Sequence, residues 1–200
     1  MKFRLKSRFS SVLAIAFLSA VTLDTKPAQA GLFGQKEVKQ SDFTLMATPY
    51  NSGYSHQLTV IGQISDEQAC WKETLQAGGP TLIDPLLLNF DFSGICSRGV
   101  DGNGYSVRIH GEDMFVQYRP KIIQREGELQ LMAQAAVPDL PDLLIARSRG
   151  KAQAFSKLVF EPGWRLTQRI YGEKALGHFY LTNDQSLANL IGGEAAFAQR

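Results

Sequence analysis

Leu86-Leu87-Leu88-Asn89-Phe90-Asp91-Phe92-Ser93 is the clearest alternating run in the chain. Leu86, Leu88, Phe90 and Phe92 fall on one side of an extended backbone, and Asn89, Asp91 and Ser93 on the other. A period of two is the signature of a strand with one face buried. His56 to Ile64 repeats the pattern, with Leu58, Val60 and Ile64 on one face and Ile61 as the exception. Tyr105, Val107 and Ile109 alternate with Ser106, Arg108 and His110.

Turn residues separate these runs at short intervals. Asp101-Gly102-Asn103-Gly104 reads as a hairpin tip, because its residues tolerate positive φ. Arg125-Glu126-Gly127 divides Val116–Gln124 from Glu128–Ala133 as a second hairpin. Glu161-Pro162-Gly163 divides Ala154–Phe160 from Trp164–Tyr171, and Gly172-Glu173-Lys174 leads to Gly177–Leu181. Leu143–Arg147 adds one more run. The expected fold is an all-β single domain, a β-sandwich or barrel-like fold of about nine short strands. Gln134–Asp142, with Pro138 and Pro141, reads as a linker joining two sheets. Asp66–Leu75 lacks alternation and reads as a short helix. Residues 185–200 are expected to be a flexible tail after a β-rich domain over 31–184, with a short helix in the Ala-rich segment Asp184–Phe197.

The N-terminus has a separate logic. Lys2, Arg4, Lys6 and Arg8 precede the apolar run Val12–Leu18, and Pro27-Ala28-Gln29-Ala30 follows. Charged, apolar and then small residues make the three-part layout of a secretory signal peptide. Residues 1–30 are expected to be that signal, with the cut after Ala30. The apolar run is too short for a spanning helix, and no second long apolar run follows it, so the mature form is expected not to span a membrane. The intact chain of 200 residues carries 21 basic and 19 acidic groups, a net charge of +2. Removing residues 1–30 takes away five basic groups and one acid, leaving 16 and 18, a net charge of −2. Nucleic acid is therefore not an expected partner, since domains that bind it are usually far more basic.

An exported protein with two cysteines is expected to bridge them. Closing the loop of about 27 residues between Cys70 and Cys96 stabilises by roughly 3.5 kcal/mol in the chain-entropy model.

No catalytic set stands out. His56, His110 and His178 lack the spacing of a helical metal pair, and no metal site or cofactor is expected. Asp101-Gly102-Asn103 has no bidentate Glu to complete a calcium loop. A Gly-x-Ser-x-Gly elbow is absent. Arg165, Thr167, Arg169 and Tyr171 share one strand face, opposite Trp164, Leu166 and Ile170. Two arginines beside a tyrosine suit an acidic glycan or a protein partner. Trp164, Arg165, Arg169 and Tyr171 are therefore the candidate binding residues, with Trp164 on the other face from the rest.

Cys70-Trp71, Asp84-Pro85 through Ile95-Cys96, Asn103-Gly104-Tyr105-Ser106, Pro162-Gly163-Trp164-Arg165 and Leu176-Gly177-His178-Phe179-Tyr180-Leu181 together resemble a family of exported cyanobacterial proteins. That family is defined only as a domain of unknown function, and some members are labelled surface-layer-like. The resemblance covers most of residues 33–184. It implies export, one domain and an envelope setting, and brings no catalytic residues. The expected function is a non-enzymatic exported cell-envelope protein that binds a glycan or protein. The alternatives are an envelope polysaccharide hydrolase using Asp91 with Glu112 or Asp113, and a structural module of a surface assembly.

Overall fold

In the computed structural model, residues 33–100, 103–151 and 154–197 are described. The expected signal over residues 1–30 lies outside them, as do Asp101 and Gly102. The described chain forms β1 (Gly34–Glu37), β2 (Phe43–Tyr50), β3 (Ser55–Gln63), β4 (Lys72–Thr74), β5 (Leu82–Asp84), β6 (Cys96–Gly99) and β7 (Tyr105–Ile109). It continues with β8 (Glu112–Asp113), β9 (Tyr118–Arg125), β10 (Glu128–Ala135), β11 (Leu143–Lys151), β12 (Ser156–Phe160), β13 (Trp164–Tyr171), β14 (Lys174–Asn183) and α1 (Leu187–Phe197).

The all-β expectation holds, as two curled sheets. A five-stranded sheet runs β1-β13-β14-β7-β8. Its pairings are antiparallel except β14 with β7. The larger sheet runs β6-β3-β2-β12-β11-β10-β9, with β5 attached to β12 and β4 to β5. It curls far enough to bring β9 against β3, although four strands separate them in the order. Between the sheets lies the main core, built from Leu58 and Val60 of β3, Leu129 and Leu131 of β10, Ile145 of β11, Leu166 of β13 and Phe179 and Leu181 of β14. Leu187, Leu190 and Ile191 of α1 pack against it.

A second, smaller core lies on the other face of the large sheet. Met46 and Ile61 pack there with Cys70, Ile83, Leu87 and Cys96. This layer accounts for Ile61, the exception in the β3 pattern: the strand is covered on both faces. It also hides β2, whose Thr44-Leu45-Met46-Ala47 are all buried and so show no alternation. Strands buried on both faces read as continuous runs.

Several expected elements differ. Leu86–Asn89 is a 3-10 turn, and the next strand begins only at Cys96. The stretch from Cys70 to Cys96 is tied back on itself. Leu87 N–H donates to the Cys70 carbonyl, and Cys70 and Cys96 are bridged at a sequence separation of 26. Leu87 is buried while Leu88 is exposed, so the apparent apolar face is split. Ile64 lies beyond the end of β3 and is also exposed. Asp66–Leu75 contains no helix, because the chain wraps the Gln63 side chain. Its Oε1 accepts from Cys70 N–H at 3.0 Å, and its Nε2 donates to the carbonyls of Ser65 and Gln68. The expected hairpin tip at Asp101–Gly104 falls partly outside the described residues; the strands on either side of it, β6 and β7, belong to different sheets. Gln134–Asp142 joins β10 to β11 within one sheet, closed by Ala135 N–H donating to Asp142 Oδ1 at 2.8 Å. The Glu126-Gly127 hairpin turn is present, with φ of 55° and 81°.

Gly62 marks a close approach within the large sheet. It pairs with Phe43 on one side and Ser97 on the other. A Cβ there would sit 2.5 Å from Phe43 Cε1 and 2.5 Å from Ser97 Oγ. Gly62→Ala is expected to displace the Phe43 ring, which meets the Phe179 ring edge-on at 5.2 Å between centroids. Overpacking of this kind costs about 1–3 kcal/mol. Thermal unfolding checks it, and an unchanged midpoint would count against this packing.

Candidate functional site

The outer face of the five-stranded sheet is polar by simple alternation. Tyr105, Val107 and Ile109 of β7 point into the main core, so Ser106 and Arg108 point out. The same parity sends Arg165, Thr167 and Arg169 of β13 outward, and His178, Tyr180 and Thr182 of β14. Register then sets the neighbours. Tyr180 stands between Thr167 and Ser106, and Thr182 between Arg165 and Arg108. His110 and Gly111, at φ 50° and 80°, make the two-residue turn from β7 to β8. That turn places Asp113 opposite Arg108.

Polar residues on an outer face are usually solvated, yet this face is not. Tyr180, Thr167 and Thr182 are 0% exposed and Arg108 9%. Part of the cover is a stack of alternating rings and guanidinium groups. The Tyr171 and Phe33 rings lie 5.9 Å apart. Arg169 Cζ sits 3.8 Å from the Phe33 centroid and 5.7 Å from that of Tyr180. Arg108 Cζ sits 4.7 Å from Tyr180 on this face. Each such contact contributes about 0.5–2 kcal/mol, more where water is excluded.

The three guanidinium groups are not equivalent. Arg165 is held by Glu37 at 2.8 Å and Asp184 at 2.8 Å, and these hydrogen bonds raise it above the ordinary arginine value. Arg169 has Asp113 at 3.8 Å. Among the described residues, Arg108 has no carboxylate within ion-pair distance. The Nε atoms of Arg108 and Arg169 and the Tyr180 hydroxyl are buried without a hydrogen-bond partner among the described residues. Burial, with the charge of Asp113 nearby, pushes the Tyr180 hydroxyl above its usual range.

A hydrogen-bonded chain borders the stack. Ser106 Oγ lies 3.2 Å from Asp113 Oδ1 and 2.9 Å from His178 Nε2. His178 Nδ1 lies 2.9 Å from the Asn103 carbonyl. His178 is aimed by an irregular stretch of β14, where the register shifts opposite β13 between Gln168 and Ile170. Bulges commonly re-aim side chains in this way. Burial lowers the basicity of His178, and Arg169 adds to that; the Asn103 carbonyl and Asp113 oppose it.

Of the candidate binding residues, the structure brings Arg165, Arg169 and Tyr171 to this face. Trp164 lies apart from them: it is 8% exposed and packs in the main core, on the opposite side of β13. Phe33, Arg108, Tyr180, Ser106, His178 and Asp113 were not grouped by sequence reasoning. The outward parity of Ser106 and Arg108 was readable, but the parallel pairing of β7 with β14 was not. The carboxylates proposed for hydrolysis do not meet. Asp91 lies in the disulfide-tied layer on the large sheet, and Asp113 lies on the small one. Ser93 donates twice to Asp91, holding its carboxyl below the usual range. A glycosidase acid needs the reverse.

Fold and face together define an all-β protein with a guanidinium–aromatic surface on its smaller sheet. Over residues 10–186 the chain matches the family described as protein of unknown function (DUF3747), and it belongs to that family. No curated protein and no solved structure matches it.

Proposed function

We propose that this is a non-catalytic binding protein of the cell envelope, exported by residues 1–30, which holds a glycan or protein partner on the outer face of its five-stranded sheet. One observation carries the reading: Arg108 and Arg169 place on a single face two guanidinium groups whose buried Nε donors have no partner among the described residues. Buried donors are almost always satisfied, and leaving one unmade costs about 1–3 kcal/mol. A surface that keeps two is poised for an outside acceptor. Export is supported by the N-terminal pattern and by the Cys70–Cys96 bridge, since disulfides persist in oxidising compartments.

The test is co-sedimentation of the purified protein with isolated envelope polysaccharide, together with cross-linking to envelope proteins. Retention that weakens in Arg169→Gln is the expected outcome. If neither polysaccharide nor envelope protein is held, the binding reading fails.

A further inference from the structure

We propose that this face takes a carboxylate-bearing saccharide, with the anion held between Arg108 and Arg169, and that its capture draws a proton onto His178. The proposal rests on the binding reading above and names its ligand chemistry and its regulation.

The local charges call for an anion. Arg165 is already matched by Glu37 and Asp184. Among the described residues, Arg108 and Arg169 share only Asp113, which lies opposite Arg108 in register, sits 3.8 Å from Arg169 and also faces Ser106. One positive charge is left over on ground where Arg108 is 9% exposed. An unpaired buried charge is costly, so a bound counter-charge is strongly favoured. Both guanidinium groups flank one ring, Tyr180, and their forked N–H groups match a planar carboxylate. Tyr171, 54% exposed at the end of the stack, offers a ring face to a sugar.

The proton follows from counting hydrogen atoms. The Asn103 carbonyl can only accept, so His178 Nδ1 carries a hydrogen. In neutral His178, Nε2 then accepts. Ser106 has one hydroxyl hydrogen and two acceptors, Nε2 at 2.9 Å and Asp113 Oδ1 at 3.2 Å. One is always left without it. When His178 is protonated, Nε2–H donates to Ser106 Oγ and the hydroxyl turns to Asp113, so all three are satisfied.

The groups facing His178 are Asp113 from β8, Arg169 from β13, Ser106 from β7 and the Tyr180 ring, 5.3 Å away on its own strand. Burial and Arg169 lower the basicity of the imidazole. An anion on Arg169 cancels the second of these, and proton uptake accompanies binding. By linkage, acidification must tighten binding by the same factor.

Calorimetric titration with tetragalacturonate, maltotetraose and inorganic phosphate tests this at about pH 7.5 and about pH 5.5, either side of the ordinary histidine range. The uronate stays ionised at both. The expected result is uronate binding at least about tenfold tighter than maltotetraose, since charge-assisted hydrogen bonds distinguish them. Binding should tighten several-fold at the lower pH. Arg108→Met and Arg169→Met should each weaken uronate binding about tenfold or more. Arg108→Met should keep its unfolding midpoint, because it removes a buried unpaired charge, which separates lost binding from lost fold. His178→Gln should flatten the pH dependence.

Equal affinity for maltotetraose overturns the anion assignment while leaving the binding reading intact. Phosphate bound as tightly as uronate overturns the saccharide assignment. A wild-type affinity that does not change with pH overturns the proton coupling. Failure to bind uronate at either pH overturns the whole proposal, and co-sedimentation with envelope material then decides the broader reading separately.

Discussion

Trp164→Ala is expected to lower the stability of the fold by about 3–5 kcal/mol, the usual cost of truncating a buried aromatic. Trp164 opens β13, where the chain crosses from the large sheet to the small one. Its indole, 8% exposed, joins the core between the sheets. Truncation removes apolar contacts from both sheets at once, and neighbours held by two sheets cannot collapse freely into the space. Domains of this size are typically stable by only about 5–15 kcal/mol, so the loss is a large fraction of the total. Denaturant unfolding should show a lower midpoint with an unchanged slope. A loss below about 1 kcal/mol would place the indole outside the core. Arg108→Met on the outer face provides the contrast, with ligand binding rather than stability as the property it moves.

The second large effect concerns the bridge. The double replacement Cys70→Ala with Cys96→Ala is expected to cost about 3.5 kcal/mol from the chain entropy of the open loop alone. Both sulfurs are also buried in the smaller core, beside Ile61, Ile83 and Leu87. Their removal leaves a cavity, which adds to the loss. Apart from the smaller core, the loop is tied down mainly along β12: β4 pairs with β5, β5 meets β12 at Leu82–Ser156 with Ile83 N–H donating to the Phe155 carbonyl and Lys157 N–H to that of Thr81, and Lys157 pairs with Glu73 at 2.7 Å. The layer should therefore open before the main core does. Limited proteolysis of the variant should cut between residues 71 and 95 while the rest of the chain survives. An identical denaturation midpoint with and without reductant would sink this account.

The smaller core also explains which elements were legible. β3, β7, β10 and β13 each turn alternate apolar residues onto the main core, so their sequences announce them; in β3 only Ile61, which faces the smaller core, breaks the period. β2 is buried on both sides by main core and disulfide layer, and its continuous run gives no period. The residues Leu86–Ser93 show the opposite failure. Their alternation is real, but a strand needs a neighbour to pair with, and the bridge turns this segment into a loop that buries Leu87 and exposes Leu88. Short pieces such as β8 (Glu112–Asp113) exist only because a partner strand lies beside them.

The site was legible to the same extent. Arg165, Arg169 and Tyr171 alternate along one strand, and that spacing is local. The contact of Arg108 with Tyr180 joins residues far apart in the chain, and it depends on the parallel register of β7 with β14. The Ser106–His178 contact spans 72 positions. Period and turn chemistry are properties of a few neighbouring residues, so the sequence by itself determined the all-β class, the Arg125–Gly127 hairpin and the pairing of two cysteines. Strand order and register depend on which distant segments bury each other's surfaces. Only the tertiary structure could therefore decide that Trp164 is core, that Arg108 lies over Tyr180 with no ion-paired carboxylate among the described residues, and that His178 shares one hydroxyl hydrogen with Asp113.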